Sequence, residues 1–123
     1  ALRASTPAWH FEMLNDRGRN EAFDAAIRRV VAELRAEPCH ATAGSAPQRA
    51  SLRVADLGAG TGLLGLLALR AGADEVLAVE RNVLLADVGR RVAANAGADR
   101  LRWLECDIRE IGDAVGEAGA SVQ

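Results

Sequence analysis

The distribution of apolar positions divides the chain into three stretches. From residue 9 to 37, Phe11, Leu14, Ile27, Val30, Val31 and Leu34 include i, i+3 and i+4 spacings with charged residues between them, the period of an amphipathic helix, and Pro38 ends it. From Pro38 to Ser51 the residues are small and polar, with Pro and Gly among them, which predicts a loop or flexible linker. From Leu52 onward the pattern alternates: a strand over Leu52–Leu57, a leucine-rich helix over Gly62–Ala71 closed by Gly72, a strand over Glu75–Glu80, a helix over Leu84–Asn95 and a strand over Leu101–Glu105. Strands alternating with helices at this spacing imply right-handed βαβ crossovers and a parallel sheet, the doubly wound α/β class. The division expected is therefore 1–37 helical, 38–51 linker and 52–123 α/β, with no internal repeat.

Composition narrows this picture. A chain of 123 residues has room for one domain and one core. Half of its residues are hydrophobic, but 26 of them are alanine, so each buries little area and the core is thin. All 15 basic residues are arginine, a bias that by itself points to no site. The net charge of −2 lacks the basic excess of a nucleic-acid binder. No apolar run approaches the roughly 18 to 20 residues that span a bilayer, and the first residues lack the apolar core of a signal peptide; a soluble, intracellular protein is expected. Cys39 and Cys106 form no C-x-x-C pair, and Cys39-His40 alone is too small a ligand set for zinc, so free thiols are expected.

In a doubly wound sheet ligands sit at the C-terminal ends of the strands. There the chain places Asp56-Leu57-Gly58-Ala59-Gly60-Thr61-Gly62, then Glu80, then Cys106-Asp107-Ile108. Gly58, Gly60 and Gly62 allow a tight turn that brings backbone close to a ligand, with the unpaired N–H groups of the next helix beyond it. Gly60-Thr61-Gly62-Leu63-Leu64-Gly65 is also a literal G-x-G-x-x-G, the fingerprint of a nicotinamide- or flavin-dependent oxidoreductase. Asp56 argues against that reading: a carboxylate there repels a pyrophosphate and attracts a cation, such as the ammonium of S-adenosyl-L-methionine. Glu80, 22 residues past Gly58, is spaced to accept hydrogen bonds from the ribose hydroxyls of an adenosine ligand, which either cofactor allows. Asp107, with the backbone of Ile108, is placed to meet the adenine edge. Blander roles exist for each acid: Asp56 as a turn cap, Glu80 as a solvated charge paired with Arg81, Asp107 as a turn former.

The run Val54-Ala-Asp-Leu-Gly-Ala-Gly-Thr-Gly-Leu-Leu64 and the following Arg70-Ala-Gly-Ala-Asp-Glu-Val-Leu-Ala-Val-Glu80 closely resemble the cofactor half of the protein arginine N-methyltransferases, class I S-adenosylmethionine-dependent enzymes of Rossmann-like fold. Upstream, Trp9-His-Phe-Glu-Met-Leu-Asn-Asp-Arg-Gly-Arg-Asn20 is similar to the helices that precede the core in that family, above all to the tandem-module branch with a WHF-x-MLND-x-x-RN signature. The resemblance covers roughly residues 9 to 111 apart from the linker. It implies that residues 1–37 form a helical cofactor lid, that Arg19 binds the methionine carboxylate with its guanidinium fork, that Met13 lines the pocket by the reactive methyl and that His10 borders the cofactor. Asp16 would support the lid by hydrogen bonding, with Trp9 and Phe11 packing it over the cofactor. Arg109 stands where many family members carry a glutamate for the adenine amino group, which leaves that contact to Asp107.

The activity implied is methyl transfer from the sulfonium of S-adenosyl-L-methionine to a guanidinium nitrogen of an arginine-containing protein, in the cytoplasm or nucleus. The paired glutamates and the Thr-His-Trp loop that grip the acceptor in this family are not found in the sequence. The expectation is accordingly a cofactor-binding part, incomplete for catalysis alone, with a sheet whose open edge favours marginal stability or self-association. A non-enzymatic truncated paralogue that binds or regulates a full-length methyltransferase is the alternative from another class, and an incomplete gene reading is a further one. Neither a nucleic acid nor a membrane is expected as a partner.

Overall fold

A computed structural model describes residues 6–37 and 49–112. Eight elements follow one another: α1 (Ala8–Asn15), α2 (Arg17–Ala36), β1 (Arg53–Leu57), α3 (Leu63–Ala71), β2 (Glu75–Val79), α4 (Val83–Asn95), β3 (Leu101–Leu104) and a 3-10 turn (Ile108–Glu110). The strands form a parallel sheet in the order β1-β2-β3, with Asp56 beside Ala78 and Ala78 beside Trp103. This is the α/β architecture expected, in the partial form of three strands preceded by helices. Most of the 38–51 stretch and the residues after Gly112 lie outside the described residues.

Local chemistry sets the boundaries. Gly72 closes α3 in the left-handed region at φ 116°, where its N–H reaches back to the last turn of the helix. Asn82 opens α4 by accepting from the N–H groups of Leu84 and Leu85, at 3.1 and 3.3 Å. The single helix expected over 9–37 is two. Asp16 adopts non-helical dihedrals and its Oδ1 accepts from the Arg19 N–H at 3.0 Å, which makes it the N-cap of α2. The Asn20 side-chain amide fixes the corner by donating to the Leu14 carbonyl at 2.8 Å.

The core is built from small residues. Ala68, Ala73, Val76, Ala78, Ala93 and Leu101 are buried together between the sheet and the helices α3 and α4. Trp103 of β3 fills the gap that this leaves under α4, with its ring against Gly89 and Gly62. Helix α2 packs along α3. Asp24 of α2 accepts from Arg28 at 2.6 Å and from Arg70 of α3 at 2.9 Å. At the far end of α2, Arg35 donates to the carbonyls of Ala50 and Gly72, at 2.8 and 2.7 Å, and to the carboxylate of Asp74. The outer side of β1 pairs with no strand among the described residues, and Leu57 there is half exposed.

Gly89 tests this packing. A Cβ there would stand 2.1 Å from the Trp103 ring and 3.0 Å from the Thr61 carbonyl oxygen. Overpacking of this kind costs about 1–3 kcal/mol or more, against a helix-propensity gain of about 1 kcal/mol for Gly to Ala. Gly89→Ala is therefore expected to lower the urea midpoint followed by circular dichroism, and the loss should shrink when Trp103→Leu removes the ring; an unchanged midpoint would contradict the packing.

Candidate cofactor site

The carboxyl ends of the three strands and the N-terminal helix α1 enclose a cavity of about 420 Å³. Its floor is the turn after β1. Gly58 and Ala59 both donate their N–H to the Val79 carbonyl of β2, at 2.8 and 3.0 Å, and Gly60 donates to Oε2 of Glu80 at 2.8 Å. Oε1 of Glu80 accepts from the N–H of Asn82 at 2.7 Å. Glu80 is 8% exposed and lines the cavity, so the solvated surface role for it is excluded. Each of its oxygens carries one backbone hydrogen bond and has capacity for another, which suits a vicinal diol.

Asp56 lines the same cavity, and its Oδ2 accepts from the N–H of Gly65 at 3.0 Å. Gly65 is the last glycine of the G-x-G-x-x-G run, in the first turn of α3. The carboxylate thus occupies the place at the helix N-terminus where a pyrophosphate would bind. Burial raises the Asp56 carboxyl above its ordinary range, as does the nearby Glu80, while the Gly65 hydrogen bond lowers it. A pocket holding two carboxylates anchored to backbone N–H groups favours a cationic ligand over an anionic one.

Helix α1 sits on this floor through His10, its one buried residue at 2% exposed. Its ring lies against Gly60: a Cβ on that residue would be 2.6 Å from His10 Cε1. The His10 Nε2 has no hydrogen-bond partner among the described residues although it is buried, so this wall offers an unsatisfied polar atom beside the floor. Met13 and Arg19 also line the cavity. The Arg19 guanidinium rests 4.8 Å above the Phe23 ring, and its Nη1 donates to Asn20 at 3.3 Å. At the far end Asp107 and Ile108 line the cavity. Asp107 takes three hydrogen bonds from Arg109, whose side chain holds its carboxyl far below the usual carboxylate range, helped by the Arg109 N–H.

The sequence expectations need three corrections. Gly62 does not line the cavity; it turns the chain at φ 85° beneath the Trp103 ring, where a Cβ would lie 2.9 Å from that ring. Trp9 and Phe11 do not bury themselves over the site: they are 60% and 57% exposed, and only Trp9 borders the cavity, because the space above Gly60 is filled by the imidazole between them. Arg81 does not pair with Glu80, whose oxygens turn toward the glycine loop; it lies 3.7 Å from Asp107 instead. Cys106 is a free thiol, as expected, and borders the cavity at the turn after β3. Thr61, Leu64 and Leu85 also border it, and their only signal in the sequence is their position beside the strand ends. Among the described residues no cluster of side chains could hold a metal ion, and no helix is long and apolar enough to cross a membrane.

Comparison with known proteins bears on the family of the chain. The chain is 40% identical over 94 residues to protein arginine N-methyltransferase 7 of Drosophila ananassae, a match covering 76% of this chain. It is 40% identical over 95 residues to the arginine N(omega)-methyltransferase of Streptomyces achromogenes subsp. streptozoticus, covering 77% of this chain. The chain belongs to the protein arginine N-methyltransferase family. No protein-family model matches it. It spans 12% and 22% of the length of those two relatives. Among solved structures, a Trypanosoma brucei PRMT1 enzyme-prozyme heterotetrameric complex with AdoHcy superposes with a TM-score of 0.63 at 27% identity, covering 83% of this chain and 27% of that one. Protein arginine methyltransferase 10 of Arabidopsis thaliana does so with 0.63 at 25%, covering 83% and 25%. A putative RNA methyltransferase of Pyrococcus horikoshii gives 0.55 at 27%, covering 73% and 39%. The arginine methyltransferase relationship and the class I methyltransferase fold thus rest on sequence and structure together.

The raised carboxyl of Asp56 sets a stability test. Its protonated form is favoured by folding, so its contribution is fully present below the unfolded value near pH 4 and lost as pH rises through the folded one. Asp56→Asn should therefore raise the thermal midpoint at pH 7, by a margin that shrinks toward pH 4. Thermal melts across that range check it, and an equal or lower midpoint at pH 7 would contradict the burial argument.

Proposed function

We propose that this chain binds S-adenosyl-L-methionine and supplies the methyl-donor half of a transfer to a guanidinium nitrogen of arginine. The observation that carries the reading is the Asp56 carboxylate on the Gly65 N–H, which closes the helix N-terminus to a phosphate and leaves a cation-seeking pocket beside it. The same observation disfavours the nicotinamide or flavin reading of the glycine run. The AdoHcy in the Trypanosoma brucei relative supports the choice of cofactor.

The roles follow from position. Glu80 accepts the two ribose hydroxyls on the lone pairs its backbone contacts leave open. Asp56 faces the ammonium, and Arg19 leaves the Phe23 ring to meet the carboxylate of the same amino-acid tail. Met13 presents a neutral, polarisable wall near the sulfonium, while His10 holds the lid against Gly60. Asp107 and the Ile108 N–H meet the base. When bound, the cofactor supplies an electrophilic methyl; displacement by a guanidinium nitrogen then depends on in-line alignment more than on acid or base assistance. We further propose that the acceptor is arginine within a protein, that a full-length methyltransferase is a candidate partner, and that the setting is the cytoplasm or nucleus, on the strength of the family alone. Methyl-transfer assays with an arginine peptide and with free arginine separate the two acceptor classes that the relatives' names present.

Calorimetric titration with S-adenosyl-L-methionine and S-adenosylhomocysteine tests the cofactor reading. Both are expected to bind, and Glu80→Ala should weaken them by roughly 10- to 100-fold, the range for a charge-assisted hydrogen bond. A folded sample that binds neither ligand, a Glu80→Ala variant that matches the parent, or tighter binding of NADH would each sink it.

A further inference from the structure

At the base end of the cavity, the orientation of one carboxylate is set from outside. Asp107 lines the cavity and Arg109, two residues on, does not. Yet Arg109 donates its backbone N–H and its Nε to Asp107 Oδ1, at 3.0 and 2.9 Å, and its Nη2 to Oδ2 at 2.8 Å. The Asp107 side chain is 21% exposed and that of Arg109 is 85% exposed. A single hydrogen bond to one oxygen would leave the carboxylate free to rotate about its last torsion. A guanidinium fork engaging both oxygens fixes its plane. Three of the roughly four acceptor positions of the carboxylate are then used. Arg81, at 3.7 Å from Oδ2, stands too far off for a hydrogen bond and leaves the fourth open.

Next to that fixed acceptor is a donor. Ile108 is the first residue of the 3-10 turn, so its N–H has no partner within the turn. An acceptor and an adjacent N–H donor complement the edge of a 6-aminopurine, which offers an N6–H donor beside the N1 acceptor. A 6-oxopurine presents the reverse order, O6 as acceptor beside N1–H as donor, and leaves both protein groups unpaired.

We infer that Arg109 is a positioning residue that makes the site selective for a 6-aminopurine nucleoside by clamping Asp107. This rests on the cofactor reading above and adds to it the residue that decides base selectivity. Arg109 acts through Asp107 and touches no ligand atom.

The experiment is a calorimetric comparison of S-adenosylhomocysteine with its inosine counterpart on the full chain. The parent should favour the adenosine compound by roughly 10- to 100-fold. Arg109→Ala should bring that ratio to about 3 or less while the thermal midpoint stays within about a degree, as expected at an exposed position. Arg109→Lys, which keeps the charge without the fork, should lose the preference as well. Asp107→Asn, whose amide can present either a donor or an acceptor, should abolish the preference, and Arg109→Ala should then change the ratio no further. An undiminished ratio in Arg109→Ala, or an equal further loss in the Asp107→Asn background, overturns the inference while the parent still binds. Failure of the folded parent to bind the adenosine compound overturns the cofactor reading itself.

Discussion

One buried carboxylate joins the parts of this site. Glu80 leaves the end of β2 and accepts from the backbone of Gly60 on one oxygen and of Asn82 on the other. The first bond pins the glycine loop, and the second places the residue whose side chain starts α4. A carboxylate at this depth costs several kcal/mol unless hydrogen bonds replace its water; here the backbone at two loop ends provides them. The loop conformation, the start of α4 and the burial of Glu80 therefore depend on one another. An acid held in this way is rigid before any ligand arrives, which lowers the ordering cost of binding.

The position of α1 is set through α2. Helix α2 is fixed to the body by Asp24 between Arg28 and Arg70, and by Arg35 at its last turn. Arg35 and the Leu52 N–H hold the Asp74 carboxyl below its ordinary range, as Arg28 does first for Asp24. These anchors lie toward the middle and end of α2, whereas α1 follows from its other end through the Asp16 corner. The contact of α1 with the glycine loop is made by His10 against Gly60.

The alternation of strands and helices was legible because boundaries carry local signals: Gly72 at positive φ, Asn82 as a cap, and short apolar runs of strand length between them. The three strand-end acids were legible because a parallel sheet puts strand ends at its ligand edge. The break at Asp16 was missed because residues 15–21 carry no apolar side chain to show a period across it, and a side-chain cap is what interrupts the helix. Apolarity also misdirected the reading of α1: Trp9 and Phe11 stay outside while the polar residue between them goes in, because the hollow over Gly60 fits an imidazole edge. Gly62 was assigned to the ligand as part of the tight glycine turn; it does turn the chain at φ 85°, but what its missing Cβ makes room for is the Trp103 ring. The partner of Arg81 depended on which way Glu80 faces, which no pattern of residue types encodes.

The absence of lysine, uninformative as composition, acquires meaning in these contacts. Arg35 reaches two carbonyls and a carboxylate with two nitrogens of one planar group, and Arg109 meets both oxygens of Asp107 with two others. An ammonium is a point charge on a flexible stem and cannot set the plane of a carboxylate. With four alanines among the six clustered core residues, little side-chain volume is available to lock the loops by packing. Directional bonds from guanidinium forks and backbone N–H groups do that work instead, and they do it at both the fixed end of α2 and the base end of the cavity. The acids lining the cavity are thereby separated by how they are held: Asp56 and Glu80 by backbone N–H groups, and Asp107 by the side chain and N–H of Arg109, which fix its plane.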